Sequence, residues 1–196
     1  ACAPYRRLNL CNKNFQKINN IDSSKARHNL LVDVCMAAKY EGESIKAHYP
    51  KYEALYEGSG SGSTTCTMLA RSFADIADIV RGKDLYRGGN NKRRQQLENN
   101  LKEIFENINK SDTKLSTLED DQIREYWWAL NRQEIWKAIT CDAPDYAKYF
   151  RGTCGSNAKT ATQAKNNCRC TKPNADQVPT YFDYVPQFLR WFEEWA

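Results

Sequence analysis

Eight cysteines are the first residues here whose type implies chemistry: Cys2, Cys11, Cys35, Cys66, Cys141, Cys154, Cys168 and Cys170. Thiols in this number close disulfides or bind a metal. No Cys-x-x-Cys occurs, the tightest pair is Cys168-Arg169-Cys170, and His28 and His48 lie far from it. Structural zinc sites show short paired ligand spacings. Disulfides are therefore the expectation, and with them an oxidising compartment. No metal and no cofactor is expected.

A second group is cationic. Arg81, Lys83, Arg87, Lys92, Arg93 and Arg94 surround a single Asp84 in a glycine-bearing stretch. Such a run reads the sulfates of a glycosaminoglycan or remains a solvated face, and the solvated face is the commoner outcome. Lys92, Arg93 and Arg94 open a helical pattern, where the dipole is already positive. A sulfate or sialic acid bound there would relieve that cost. A protein receptor is the competing partner class. Salt separates the two, because screened charge pairs carry glycan binding.

Catalytic motifs are missing. Gly-x-Ser-x-Gly, His-Glu-x-x-His and the dinucleotide fingerprint do not occur. The two histidines have no partner motif, and no cysteine pair has redox spacing. Glu119, Asp120 and Asp121 read as helix-start charges. No catalytic residue is assigned, and the chain is not expected to be an enzyme.

The elements that must position these residues are helical. Apolar residues make up 41% and charged residues 27%, which places the chain among globular proteins. A net charge of +5 permits a polyanionic partner but falls short of what a nucleic-acid binder usually carries. No signal peptide opens the chain, and no apolar run approaches the ~20 residues of a membrane span. The abrupt start at Ala1-Cys2 and the stop inside a helical pattern lead to the expectation of a piece of a larger extracellular protein.

Ile123 to Cys141 is the stretch around which the elements should gather. It lacks Gly and Pro and carries three of the five tryptophans. Ile123, Trp127 and Leu130 share one face, Trp128, Ile135 and Ile139 another, and Trp136 points a third way. A helix apolar on most sides is surrounded by others. A helix from Ser24 carries Leu31, Val34, Cys35, Ala38 and Ile45, and Pro50 should break or kink it. Gly58 to Ser63 is a flexible loop, only weakly like a phosphate cradle. A helix follows from Thr64 to Val80, with candidate caps at Ser63, Thr64 and Thr65 and a terminator at Gly82. On it Arg71 and Asp75 are spaced to pair, and with Asp78 they suggest an inter-helix polar network. Helical spacing resumes at Leu97, Leu101, Ile104, Phe105 and Ile108. Cys141 to Pro179 is a long cysteine-bearing connection, which in a compact domain must be cross-linked or functional. Pro179 to Val185 should be extended, and Pro186 should start a last helix, Gln187 to Trp195. Phe73, Ile76, Trp127, Trp128 and Trp136 are expected in the core; Tyr126 lies off the apolar faces.

Several long motifs resemble one family. They are Ala70-Arg-Ser-Phe-Ala-Asp-Ile-Ala-Asp-Ile-Val-Arg-Gly-Lys-Asp-Leu-Tyr86, Arg124-Glu-Tyr-Trp-Trp-Ala-Leu-Asn-Arg132, Trp136-Lys-Ala-Ile-Thr-Cys141 and Tyr184-Val-Pro-Gln-Phe-Leu-Arg-Trp-Phe-Glu-Glu-Trp195, with Cys2-Ala-Pro-Tyr-Arg-Arg7 and Leu31 to Gly42 in agreement. Together they look like a Duffy-binding-like domain of the alpha class, from the erythrocyte membrane protein 1 family of the malaria parasite. One departure is Ala77, where the family usually has Gly; Ala suits a helix interior better.

The resemblance implies a mainly α fold, the Duffy-binding-like helical bundle with long disulfide-pinned loops. It implies residues 1–24 as the irregular end of a first subdomain, 25–185 as a helical second subdomain and 186–196 as the first helix of a third, cut short. It also implies an antigenically variable adhesin on the extracellular face of the infected erythrocyte, anchored by a segment outside this sequence. The partners would be a host endothelial or erythrocyte receptor, or heparan sulfate or a blood-group glycan in rosetting. Cys2 and Cys11 would pair with upstream cysteines, so here a Cys2–Cys11 bond or free thiols are both open. Cys35 and Cys141 lie at or near the ends of core helices and are expected to bridge. Cys66, Cys154, Cys168 and Cys170 should form two further bonds that pin the long connection to the bundle.

Overall fold

The computed structural model describes residues 2–17, 26–56, 64–88 and 91–195. The glycine-serine stretch from Gly58 to Ser63 lies outside them. Among the described residues the α-helices are α1 (Tyr5–Leu8), α2 (Ala26–Tyr56), α3 (Thr65–Val80), α4 (Asn91–Ser111), α5 (Asp120–Ile139) and α6 (Gln187–Trp195). A two-stranded antiparallel sheet pairs β1 (Gly152–Cys154) with β2 (Thr162–Gln163).

The most enclosed helix is α3, not α5. Only Met68 and Arg71 of its residues escape full burial. Its alternation of Ala70, Ala74 and Ala77 with Leu69, Phe73 and Ile76 lets neighbours approach on several sides. Thr64 caps the start, its hydroxyl accepting from the Thr67 amide at 3.2 Å. At the other end Gly82 takes φ +72. The Lys83 amide then reaches the Asp78 carbonyl at 2.7 Å and the Gly82 amide reaches Ile79 at 3.2 Å. That double return is the Schellman closure glycine permits.

A capping box starts α5, with Gln122 accepting from the Glu119 amide at 3.0 Å. Its tryptophans pack as expected. The Phe73 ring centroid lies 5.1 Å from Trp128 and 5.3 Å from Trp136, and Phe105 meets Trp127 edge-on at 6.0 Å. Leu130 departs from expectation: it is 54% exposed beside the exposed Tyr126. The helix therefore keeps one face outside instead of being covered on most sides. α2 crosses α5 at Gly42, where a Cβ would drive into the Ile139 backbone carbonyl.

Three further expectations are corrected. Of the two outcomes expected at Pro50, the break does not occur: α2 continues to Tyr56. The carbonyl one turn back belongs to Lys46, an exposed residue, so water can satisfy the acceptor that proline leaves unpaired. The 179–185 segment is not extended throughout: Phe182–Tyr184 forms a 3-10 turn, held by arginines that bind its carbonyls. The third concerns the cysteines. Cys66 bonds Cys168 and Cys154 bonds Cys170, whereas Cys35 and Cys141 remain thiols, as do Cys2 and Cys11. Cys35 lies two turns before the Gly42 crossing, about 10 Å along the helix, where the charge of Glu134 reaches it. Cys141 lies two residues beyond the end of α5 at Ile139. A disulfide needs Cα atoms within about 7 Å. Burial, with that glutamate, pushes the Cys35 thiol up to about 11. Of the two bonds formed, Cys66–Cys168 pins the long connection to α3, while Cys154–Cys170 closes within it.

Candidate functional site

The cationic run divides once folded. Arg81 is buried, apart from the exposed part of the run. Its guanidinium donates to the Asp78 carboxylate at 3.0 Å, to Glu125 at 3.1 Å, to the Ala77 carbonyl at 3.2 Å and to the Asp183 carbonyl. It also lies over the rings of Trp128 and Tyr184. Arg81 is the C-cap of α3 with helical backbone, so its side chain follows the buried face that carries Ala77 and Asp78, and the chain leaves that face only at Gly82. Lys83 pairs with Glu125. Asp84, the one acid in the run, is held by Arg7 and by Gln187 at 2.8 Å. What stays outward is Arg87, Lys92 and Arg93, with Arg94 half-buried and donating to the Arg87 carbonyl at 2.9 Å. Glu98, on the same helix, pairs with Arg124 at 3.0 Å.

A charged cluster lies on α3. Asp75 has no exposure, and its carboxylate accepts from Arg6 at 2.6 Å, Arg190 at 2.8 Å, Gln187 at 3.0 Å and Trp191 Nε1 at 3.2 Å. Asp78 accepts from Arg190 at 2.5 Å and Arg81 at 3.0 Å. Glu194 of α6 takes Arg6 of α1 in a two-toothed grip, at 3.0 and 2.9 Å. The expected α3 network exists, but the expected pair within it does not. Arg71 reaches Glu194 at 3.6 Å, and Asp75 goes to arginines of α1 and α6. A third acid, Asp183, holds Arg132 through both oxygens and accepts from Trp128 Nε1 at 2.8 Å.

Electrostatics separates the two α3 acids. Burial pushes Asp75 up, but the Arg6 and Arg190 charges outweigh it and hold the carboxyl below its ordinary range. For Asp78 burial wins over Arg190 and Arg81, and the carboxyl stands above its ordinary range. Carboxylates saturated by arginines in a packed interior offer no open position for a substrate. Chemically this cluster is a clamp that fixes α1 and α6 on α3. Of the histidines, His28 is exposed and His48 bonds the Ser44 carbonyl at 2.8 Å. Among the described residues no group of three His, Cys, Asp or Glu could hold a metal, and no helix is long and apolar enough to cross a membrane.

Sequence reasoning overlooked one region. A groove of about 610 Å³ opens between the β1–β2 hairpin and residues 171–174, with Lys165 and Lys172 in its walls. The available signal was charge spacing: Lys148, Arg151, Lys159, Lys165, Arg169 and Lys172 follow one another with no acid between Asp145 and Asp176. They are too dispersed to read as a cluster until the disulfides fold the segment back.

The Duffy binding domain family model matches residues 1–190. The Duffy receptor gamma form of Plasmodium knowlesi is 23% identical over 205 residues, which takes in all of this chain and 15% of that protein. Among solved structures, the NTS-DBL1(alpha-1) domain of Plasmodium falciparum membrane protein 1 (PfEMP1) from the varO strain is 38% identical with a TM-score of 0.77, over the whole of this chain and 43% of that one. A PfEMP1 DBLbeta domain solved bound to ICAM-1 is 28% identical with a TM-score of 0.69, over the whole of this chain and 44% of that one. The chain thus spans less than half the length of each. The family model takes in all but the last six residues, the solved structures are matched over the whole of this chain, and this chain belongs to the Duffy-binding domain family.

Proposed function

We propose that the chain is an adhesion domain that binds a protein receptor on the host cell surface, as part of a larger parasite surface protein facing the extracellular space of the infected erythrocyte. The observation that carries this reading is the end-to-end likeness to PfEMP1 domains, one of them solved with ICAM-1 bound. Two disulfides suit an oxidising exterior, and interiors saturated with arginine–carboxylate pairs suit a rigid binding platform better than a catalyst. Residues 1–24 and 186–196 are read as the edges of neighbouring subdomains, in keeping with the way α1 and α6 grip each other on α3. The test is surface plasmon resonance of this chain, and of the longer domain containing it, against a panel of human endothelial and erythrocyte receptors that includes ICAM-1. Saturable binding to one receptor supports the reading; no binding by either length across the panel overturns it.

A second reading, a sulfated or blood-group glycan on the arm of Arg87, Lys92, Arg93 and Arg94, is favoured by the outward placement of most of that arm. Its test is a triple change of Lys92, Arg93 and Arg94 to Ala. Unchanged heparin elution in a folded variant removes the arm as the site.

A further inference from the structure

Six basic residues and no acidic one lie between Asp145 and Asp176, while the whole chain nets only +5. The rest of the protein therefore nets −1, and the positive charge resides in the disulfide-pinned connection. Arg169 is used internally, donating to Thr140 Oγ1 at 2.8 Å and the Lys137 carbonyl at 2.6 Å. Lys148, Arg151, Lys159, Lys165 and Lys172 are exposed, and among the described residues none of the four lysines enters an ion pair.

Aromatic rings accompany these cations. Tyr146, Lys148 and Phe150 are exposed, while Ala147 and Tyr149 between them are buried, so the run turns the first three to solvent and the other two inward. The Tyr149 amide reaches the Ala164 carbonyl at 2.9 Å, and the Ala147 carbonyl takes the Cys168 amide at 3.0 Å. Those bonds hold the run in place and set Lys165, next after Ala164, beside it. Tyr146 is 79% exposed, more than any other large apolar side chain among the described residues. Phe150 lies against Tyr149 and Phe182, with ring centroids at 4.8 and 6.3 Å, and the Arg151 guanidinium sits over it at 5.1 Å. The disulfides at Cys168 and at Cys154 with Cys170 brace the frame on which this face is carried.

Rings interleaved with cations, on a stiff face without carboxylates, match the surface of an anionic bilayer. Aromatic side chains settle at the headgroup level, and clustered lysines and arginines are drawn to anionic lipid. Neither contact requires a pocket. A single strand of nucleic acid needs successive open ring faces for its bases; here Phe150 is already covered by Arg151, which leaves Tyr146 alone.

We propose that this face rests on a bilayer containing anionic phospholipid, with Tyr146 and the rim of Phe150 among the headgroups and Lys148, Arg151 and Lys165 on their phosphate and carboxylate groups. The contact is peripheral. It goes beyond the protein-receptor reading and does not depend on it.

The test is flotation of the folded chain with phosphatidylcholine vesicles, with and without phosphatidylserine, at several salt concentrations. Three variants whose near-UV circular dichroism matches the parent accompany it: Lys148→Gln with Lys165→Gln, Tyr146→Ser, and Lys92→Gln with Arg93→Gln. The parent should float only with the phosphatidylserine vesicles. The Lys148 and Lys165 pair should weaken binding about thirtyfold, the share of two cations at such a surface, and flatten the salt dependence. Tyr146→Ser should weaken it severalfold with the salt dependence unchanged, since no charge is lost. The Lys92 and Arg93 pair should float like the parent. Parent-like flotation by the Lys148 and Lys165 pair or by Tyr146→Ser overturns the proposal, as does an equal loss in the Lys92 and Arg93 pair, which would spread the attraction over the whole chain. Displacement by oligothymidylate would make a nucleic-acid strand the ligand and overturns it too. A parent that stays with neither vesicle also overturns it, and leaves the receptor reading to its own panel.

Discussion

Two regions of this domain use cations in opposite ways. Around α3, Arg6, Arg81, Arg132 and Arg190 are turned inward and matched to Asp75, Asp78 and Asp183. In the 146–175 connection the lysines face water and, among the described residues, form no ion pair, and two disulfides supply the order. The choice of residue follows the task. A guanidinium offers a planar fork of donors and tolerates partial desolvation, so it can serve two carboxylates at once; an ammonium is strongly hydrated and stays at the surface. The comparison also shows what replaces a core. The α3 region has Phe73, Trp128 and Trp136 stacked together, whereas the connection buries few large side chains and must be cross-linked.

The comparison can be broken most severely at its covalent side. Changing Cys66 and Cys168 together to Ala opens a link across 102 residues and should cost about 4–5 kcal/mol by loop entropy, against about 3 kcal/mol for Cys154 with Cys170. Urea denaturation measures both, and a reversed order would mean that the short bond bears the strain of holding the hairpin.

On the ionic side, Asp75→Ala leaves Arg6 and Arg190 buried without their shared counter-charge, and should cost roughly 3–5 kcal/mol. A loss below ~1 kcal/mol would place the arginines in reach of water and contradict the clamp. Gly42→Ala should follow at roughly 1–3 kcal/mol, because the obstacle is the Ile139 backbone and no side chain can swing aside.

Acid sharpens the contrast within the clamp. Asp75 has a folded pKa below its unfolded one, so its contribution is present above the ordinary carboxylate range and is lost as pH falls through that range and below. Asp78 has a raised folded pKa, so it regains stability as pH falls through that raised value. Asp75→Asn should therefore flatten the loss of stability on acidification, and Asp78→Asn should steepen it. Denaturation midpoints at successive pH values, compared with the parent, decide the sign of each. The smallest effect belongs to the open loop: Lys165→Gln should change stability by no more than about 0.5 kcal/mol, since nothing in the fold depends on that ammonium.

How much was legible varies with the range of the interaction. The extents of α3 and α6, the α3 start at Thr64 and stop at Gly82, and the burial of Phe73, Trp127, Trp128 and Trp136 follow from spacing and from residues within one helical turn. Those signals are local, and the sequence by itself determined them, together with the family. Leu130 shows the limit: its spacing from Trp127 marks it as apolar, but whether a neighbour covers it depends on which helix lies opposite. The partners of charges and thiols were decided only by tertiary structure. Arg71 and Asp75 are one turn apart, yet Asp75 is claimed by Arg6 and Arg190, 69 and 115 residues away, because a buried carboxylate binds whichever guanidinium the packing delivers. Arg81 left the cationic run for the core for the same reason, and Cys66 found Cys168 rather than a nearer thiol because a disulfide forms only where two Cα atoms are brought within reach.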